Sequence, residues 1–200
     1  MSIERKVQLV EMLFYQLEEE GERFKKESGI GCVSGCGKCC TYPDVQASPL
    51  EFLPWAFHLF LNGEAESTLA KLQGNFSSTC IIFKPTSLTG NGSCSEYKYR
   101  GLICRLFGTA ATTDKYGKLR LSTCKIIKEG QAENYHSTEE AISKGLYVPV
   151  FTDYYMQLNQ IDYHLGQVML PVNKALKMAL EEVLQYYAYR PLPDSEKNCG

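Results

Sequence analysis

The stretch GCVSGCGKCC, residues 31–40, places Cys32, Cys36, Cys39 and Cys40 within ten residues, the last two side by side. A free cysteine is often just a small buried hydrophobe. Here the surrounding glycines deny the thiols an apolar lining. Gly35 and Gly37 flank Cys36. Glycine lets a backbone bend tightly and aim its N–H groups at an anion, and metal-bound thiolates gain from such donors. The Cys36–Cys39 step is a Cys-x-x-Cys spacing, which sets two sulfurs on one metal. The stretch therefore predicts a thiolate metal site on an irregular loop. Neighbouring side chains of an extended segment point to opposite faces. Cys39 and Cys40 can thus serve two centres, or one can ligate while the other packs.

Four further cysteines follow: Cys80, Cys94, Cys104 and Cys124, with gaps of 13, 9 and 19 residues and no second Cys-x-x-Cys step. Cys199 falls in a polar C-terminal tail, residues 191–200, and is expected outside the site. His58, His136 and His164 lie in or beside expected helices, far from the cysteines in sequence, and read as ordinary histidines. An all-sulfur donor set with scattered spacing suits an iron–sulfur cluster, 4Fe–4S favoured, with zinc as the alternative. The spacing of Cys32, Cys36 and Cys39 is also that of radical-SAM enzymes. Here, however, a helix precedes the loop, Lys38 stands where an aromatic is usual, and no βα repeat follows.

Charge adds a second clue. Residues 98–128 carry eight Lys or Arg against one acid, Asp114, in a chain of net charge −2. Four thiolates around zinc or around a 4Fe–4S core leave a net negative site, which nearby cations offset. Arg100 and Arg105, beside Cys104, are the candidate cofactor-binding residues. Lys115 and Lys118 read as solvated turn residues.

Working outward, 200 residues suit a single domain over residues 1–190: an N-terminal helix to residue 29, a cysteine-rich core over 30–130, and C-terminal helices over 131–190. The composition, 44% hydrophobic and 22% charged, is that of an ordinary globule. The net charge carries no nucleic-acid signature. The first residues lack the pattern of a signal peptide, and no apolar run reaches the ~20 residues of a membrane helix. These features predict a cytoplasmic protein with no membrane or nucleic-acid partner. Nine cysteines in such a compartment point away from disulfides and toward metal binding or thiol chemistry.

Local patterns predict an α+β fold, mainly α, with helices at both ends of an irregular cysteine-rich core that holds a small β-hairpin. Ile3, Val7, Val10, Phe14, Leu17 and Phe24 recur at helical spacing, with Gly29 as the stop. Ser48, Pro49 and Glu51 form a capping box opening a helix to about Asn62, bent at Pro54. A short helix closes at Gly74. "CIIFKP", from Cys80, reads as a strand before the turn cluster "TSLTGNGS", and residues 105–124 read as a hairpin turning at Asp114–Gly117. Helix resumes at about Ser137, and Pro171 opens the last helix. The C-terminal tyrosines, Tyr154, Tyr155, Tyr163, Tyr186, Tyr187 and Tyr189, either fill the helix–helix core or form a partner surface.

The ordered set of loop "CVSGCGKCC", "CIIF", "GSCSEYKYRGLICRLFG" and a later "STC" resembles the YkgJ-type CxxCxxCC family, described as zinc- or iron-chelating and related to flagellin lysine N-methylases. The resemblance spans roughly residues 32–127. Cys94, Tyr97, Arg100, Cys104, Arg105 and Phe107 match its middle segment, with Gly101 where proline is usual. It implies metal binding by Cys32, Cys36, Cys39, Cys40, Cys80, Cys94, Cys104 and Cys124. Three functions remain open at this point. One is an iron–sulfur protein in redox or group-transfer chemistry, methyl-transfer-like as in the flagellin relatives, although no glycine-rich nucleotide fingerprint follows a strand. The second is a non-catalytic zinc module whose helices bind a partner. The third, a metal-free thiol oxidoreductase, leaves most of the thiols unexplained.

Overall fold

The computed structural model describes residues 1–33, 35–75, 77–86 and 91–192. Cys199 and residues 87–90 of the turn cluster lie outside the described residues.

The first helix, α1, spans Ile3–Ser28. Ser2 caps it by accepting the Arg5 N–H at 3.3 Å. Gly29 ends it at φ 67°, a left-handed value that costs a glycine no Cβ clash. The stripe Ile3, Val7, Val10, Phe14, Leu17 and Phe24 is buried, as its spacing requires.

The capping box is present: the Ser48 N–H donates to Glu51 at 2.8 Å. It opens a single 3-10 turn, Pro49–Phe52, and α2 follows at Leu53–Leu61. Pro54 therefore bends nothing. It sits in the first turn of α2, where its missing N–H would have had no helical partner. The next helix, α3, is Ala65–Gln73.

The strands are short and antiparallel. Gln46–Ala47 (β1) pairs with Leu170–Pro171, which is β6 in chain order. Phe83–Pro85 (β2) pairs with Gly92–Cys94 (β3), and Ala111–Thr113 (β4) pairs with Leu119–Leu121 (β5). Between the last two pairs lies α4, Leu102–Leu106, so Arg105 and Leu106 are helical rather than part of a hairpin.

Helix resumes earlier than the sequence suggests. Cys124 is extended and starts α5, Lys125–Gly130, and α6, Ala132–Ser143, follows. Ser137 lies inside α6 and caps nothing; its hydroxyl bonds back to the Asn134 carbonyl at 3.1 Å. The continuous-looking segment after residue 150 is divided into α7, Phe151–Ile161, and α8, Tyr163–Gly166. Asp162, extended at φ −153°, divides them and caps α8 through the Leu165 N–H. The last helix, α9, is Val172–Tyr187.

These elements enclose two apolar clusters. The larger gathers α1, α2, α7 and α9 around Leu53, Trp55, Leu158, Leu176 and Leu180. Each such side chain contributes about 1.5–3 kcal/mol by leaving water. The smaller holds Phe24, Ile30, Ala111, Leu121, Ile127, Ile142 and Val148. Tyr154 and Tyr187 are buried, Tyr155 and Tyr186 pack against the larger cluster, and Tyr163 and Tyr189 are exposed. Most of the C-terminal tyrosines are thus core residues. Among the described residues, no helix is long and apolar enough to cross a membrane.

Candidate metal centre

Four chain segments carry the eight thiols, all of which are free. Each of three segments is fixed by a polar side chain reaching in from another part of the chain.

The loop after α1 is held at its root. The Gln131 amide both accepts the Gly31 N–H at 3.2 Å and donates to the Gly31 carbonyl at 2.8 Å. Asn134 donates to the Gly29 carbonyl at 3.1 Å. Gly35 and Gly37 then turn the chain at φ 70° and 61°. Gly37 has no room for a side chain, because a Cβ there would meet the Phe83 ring and stand 3.0 Å from the Gly92 carbonyl. Beyond it, Cys39 and Cys40 lie in a 3-10 turn, Lys38–Thr41.

The second segment is fixed to the first by backbone: the Cys80 N–H donates to the Cys40 carbonyl at 3.0 Å. Asn173, near the start of α9, surrounds Cys80. Its amide donates to the Ser77 and Thr79 carbonyls at 3.0 and 2.8 Å and accepts the Ile81 N–H at 2.9 Å. Cys94 ends β3, opposite Phe83.

Cys104 lies within α4, and the cap of that helix comes from elsewhere. Glu51 accepts the Ile103 N–H at 2.9 Å while its other oxygen takes the Ser48 N–H, the Ser48 hydroxyl and, at 3.1 Å, the Tyr155 hydroxyl. Glu51 is fully buried, and burial pushes its carboxyl up against the pull of those four donors. Cys124 is the residue from which α5 starts.

Electrostatics distinguishes the thiols. Burial pushes the Cys32 thiol up, and the thiols of Cys39, Cys36 and Cys124 add to it. Cys80 is pushed up to about 11 by burial, with Cys94 and Cys39 nearby. Burial raises Cys104 further, with Cys80, Glu51, Cys39 and Cys94 as neighbours. Cys39 is the exception: the Cys40 thiol and the backbone N–H groups of Cys39 and Cys40 stabilise its thiolate, so it is lowered. Its partner Cys40 is raised. Among the described residues no three Cys, His, Asp or Glu side chains already stand at the spacing of a closed metal site. The chemistry of the thiols, sulfur throughout, fits zinc or an iron–sulfur cluster.

The two arginines part company. Arg105 is buried over the Phe14 ring, and its donors are taken by the Arg100 and Lys98 carbonyls and by Glu18. Arg100 stacks 4.0 Å over Tyr97, reaches Glu18 only at 3.8 Å and keeps a buried, unpaired Nε. Its charge favours the thiolates of Cys32, Cys39 and Cys94. Beside it runs an open groove of about 610 Å³, lined by Glu18, Glu22, Arg23, Lys26, Tyr97 and Arg100. The histidines stay apart: His58 stacks on Tyr99, His136 meets Tyr135 edge-on, and His164 is exposed on α8.

Sequence reasoning missed Gln131, Asn134, Asn173 and Tyr155, and saw only the local half of Glu51. Their partners lie far away in sequence, so no local pattern marks them.

Eight free cysteines on four segments of a helical frame are the donor set of a metal-chelating class of protein. More particularly, the family model CxxCxxCC, described as "Putative zinc- or iron-chelating domain", matches residues 31–138, and the chain belongs to that family. All eight cysteines discussed lie within the match, whereas α7, α8 and α9 lie beyond it. No curated protein and no solved structure is similar to the chain.

Proposed function

We propose that the cysteine thiolates hold iron–sulfur, of the 4Fe–4S type, and that the chain serves redox or group-transfer chemistry in the cytoplasm. The observation that carries this reading is the donor set: eight free thiols lie within the chelating-family match, while His58 and His136 pack on tyrosine rings and His164 is exposed. Thiolate ligation is the usual means of holding such clusters. When bound, a cluster supplies one-electron chemistry. The chain's own residues do the rest. The Cys40 thiol favours a thiolate at Cys39, and the Arg100 charge favours thiolates at Cys39 and Cys94. Gln131, Asn173 and Glu51 hold the ligand segments in place.

A second reading is a zinc-stapled module that binds a partner. The observation favouring it is the Cys36–Cys39 step turned by Gly37, a form that zinc sites also use.

Anaerobic purification separates the two. Iron–sulfur gives a brown protein with a broad band near ~400 nm and labile sulfide. A colourless protein with stoichiometric zinc and no iron excludes the first reading.

A further inference from the structure

We propose that the groove between α1 and the turn from Tyr97 to Arg100 binds a small organic phosphate, with the Arg100 guanidinium as anchor and Lys26 as a second contact. This goes beyond metal binding and stands whichever metal the thiols hold.

The groove, about 610 Å³, has a volume usual for small-molecule sites. One wall is a face of α1 from Glu18 to Lys26, and the other is Tyr97 and Arg100. A chamber of about 20 Å³ shares Glu18, Glu22 and Arg100 with the groove and is bounded further by Arg105 and Thr109. That is room for one oxygen-sized atom. Tyr97 follows Cys94 by three residues, and Arg100 precedes Cys104 by four. A molecule in the groove therefore lies against the segment that joins two of the thiols.

Arg100 is the group in this wall whose hydrogen bonding is incomplete. Its side chain is only 19% exposed. The guanidinium stacks 4.0 Å over the Tyr97 ring, which holds the plane of its fork. Its Nε is buried and has no partner among the described residues. The Glu18 carboxylate stands at 3.8 Å, beyond hydrogen-bond reach, and is held by Arg105. A buried donor without an acceptor costs free energy. The acceptors that match a guanidinium fork are carboxylate and phosphate oxygens.

Charge chooses between these two. Groove and chamber together are lined by five Lys or Arg and three Glu. Each of those carboxylates already has a donor. Glu18 takes Arg105, Glu22 takes Lys25 at 2.6 Å, and Glu19 takes the Tyr15 hydroxyl at 2.9 Å. Lys26 is exposed and pairs with no carboxylate among the described residues. The lining therefore carries a surplus of two positive charges. A carboxylate brings one negative charge, whereas a phosphate monoester brings nearly two at neutral pH. The surplus matches the phosphate.

The test is calorimetric titration of the full-length chain with phenyl phosphate and with phenyl sulfate, which has the same shape but a single negative charge. Phenyl phosphate should bind once per chain, and phenyl sulfate several-fold more weakly. Arg100→Gln should weaken phenyl phosphate by about tenfold or more, the worth of a hydrogen bond to a charged group. Lys26→Gln, on the exposed side of a helix, should keep the fold by circular dichroism and its metal content, and weaken phenyl phosphate a few-fold. Lys144→Gln, away from the groove, should change nothing. Failure of wild type to bind phenyl phosphate overturns the proposal. Undiminished binding in both Arg100→Gln and Lys26→Gln overturns the site, and equal affinity for phenyl sulfate overturns the assignment to phosphate. None of these results bears on whether the thiols hold metal.

Discussion

The Glu51 carboxylate and the Ile103 N–H meet at 2.9 Å across 52 residues of chain, so a residue that caps its own 3-10 turn also caps the helix carrying Cys104. Glu51→Ala leaves four buried donors without their acceptor. The expected loss is about 2–4 kcal/mol in urea unfolding, since each unsatisfied buried donor costs ~1–3 kcal/mol and neighbours do not add fully. Tyr155→Phe removes only one donor and should cost about 1 kcal/mol.

Arg105 is occupied by the protein itself. Arg105→Lys cannot reproduce the fork that spans Glu18 and two carbonyls. A loss of roughly 1–3 kcal/mol is expected, because hydrogen bonds to charged groups are worth about that much. Metal content should be unchanged. Lowered metal content in a folded Arg105→Lys chain would show that Arg105 acts on the site directly.

Gly35 and Gly37 share a left-handed backbone but not their surroundings. Among the described residues nothing lies within 4 Å of a Cβ added at Gly35, whereas Gly37 faces Phe83 and the Gly92 carbonyl. Gly35→Ala should cost about 1 kcal/mol from backbone strain alone. Gly37→Ala should cost several times more in thermal unfolding and reduce metal uptake, since it displaces the turn that holds Cys39.

Asp162 sets part of the acid limit of the fold. Burial alone would raise its carboxyl; the Lys6 ammonium at 2.7 Å and the Leu165 N–H outweigh that and hold it below the ordinary 3.8. A depressed folded value means that the ionised carboxylate stabilises the fold above the unfolded value. That contribution is lost as pH falls through the folded value. Asp162→Asn retains a side chain able to cap α8 but loses the charge. It should be less stable by about 1 kcal/mol near neutral pH, with the difference shrinking below pH ~4. The check is urea unfolding at several pH values.

Cys36→Ser or Cys104→Ser should lower both metal content and stability. Cys199→Ser, in the tail beyond the family match, should change neither. Metal analysis of the three purified variants decides.

The candidate thiols stand out in the sequence because a cysteine among glycines has few other uses, and the long helices are legible because their apolar stripes are long. The frame around the thiols is much less so. Gln131 and Asn173 look like ordinary polar residues on helices, and only folding brings them to Gly31 and Cys80. The helix α5 escapes notice because it is a bare turn and a half starting at a cysteine. Asp162 hides the break between α7 and α8, since an aspartate within a helical pattern reveals its capping role only when the backbone extends.

The clamp on Cys80 has a consequence for biosynthesis. All eight thiols precede Asn173 in chain order. As the polypeptide leaves the ribosome, these eight thiols emerge before the amide that fixes the Cys80 loop, and only Cys199 follows it. Once the last helix docks, Asn173 closes over Ser77, Thr79 and Ile81. The C-terminal helix is in that sense a late latch on the Cys80 segment.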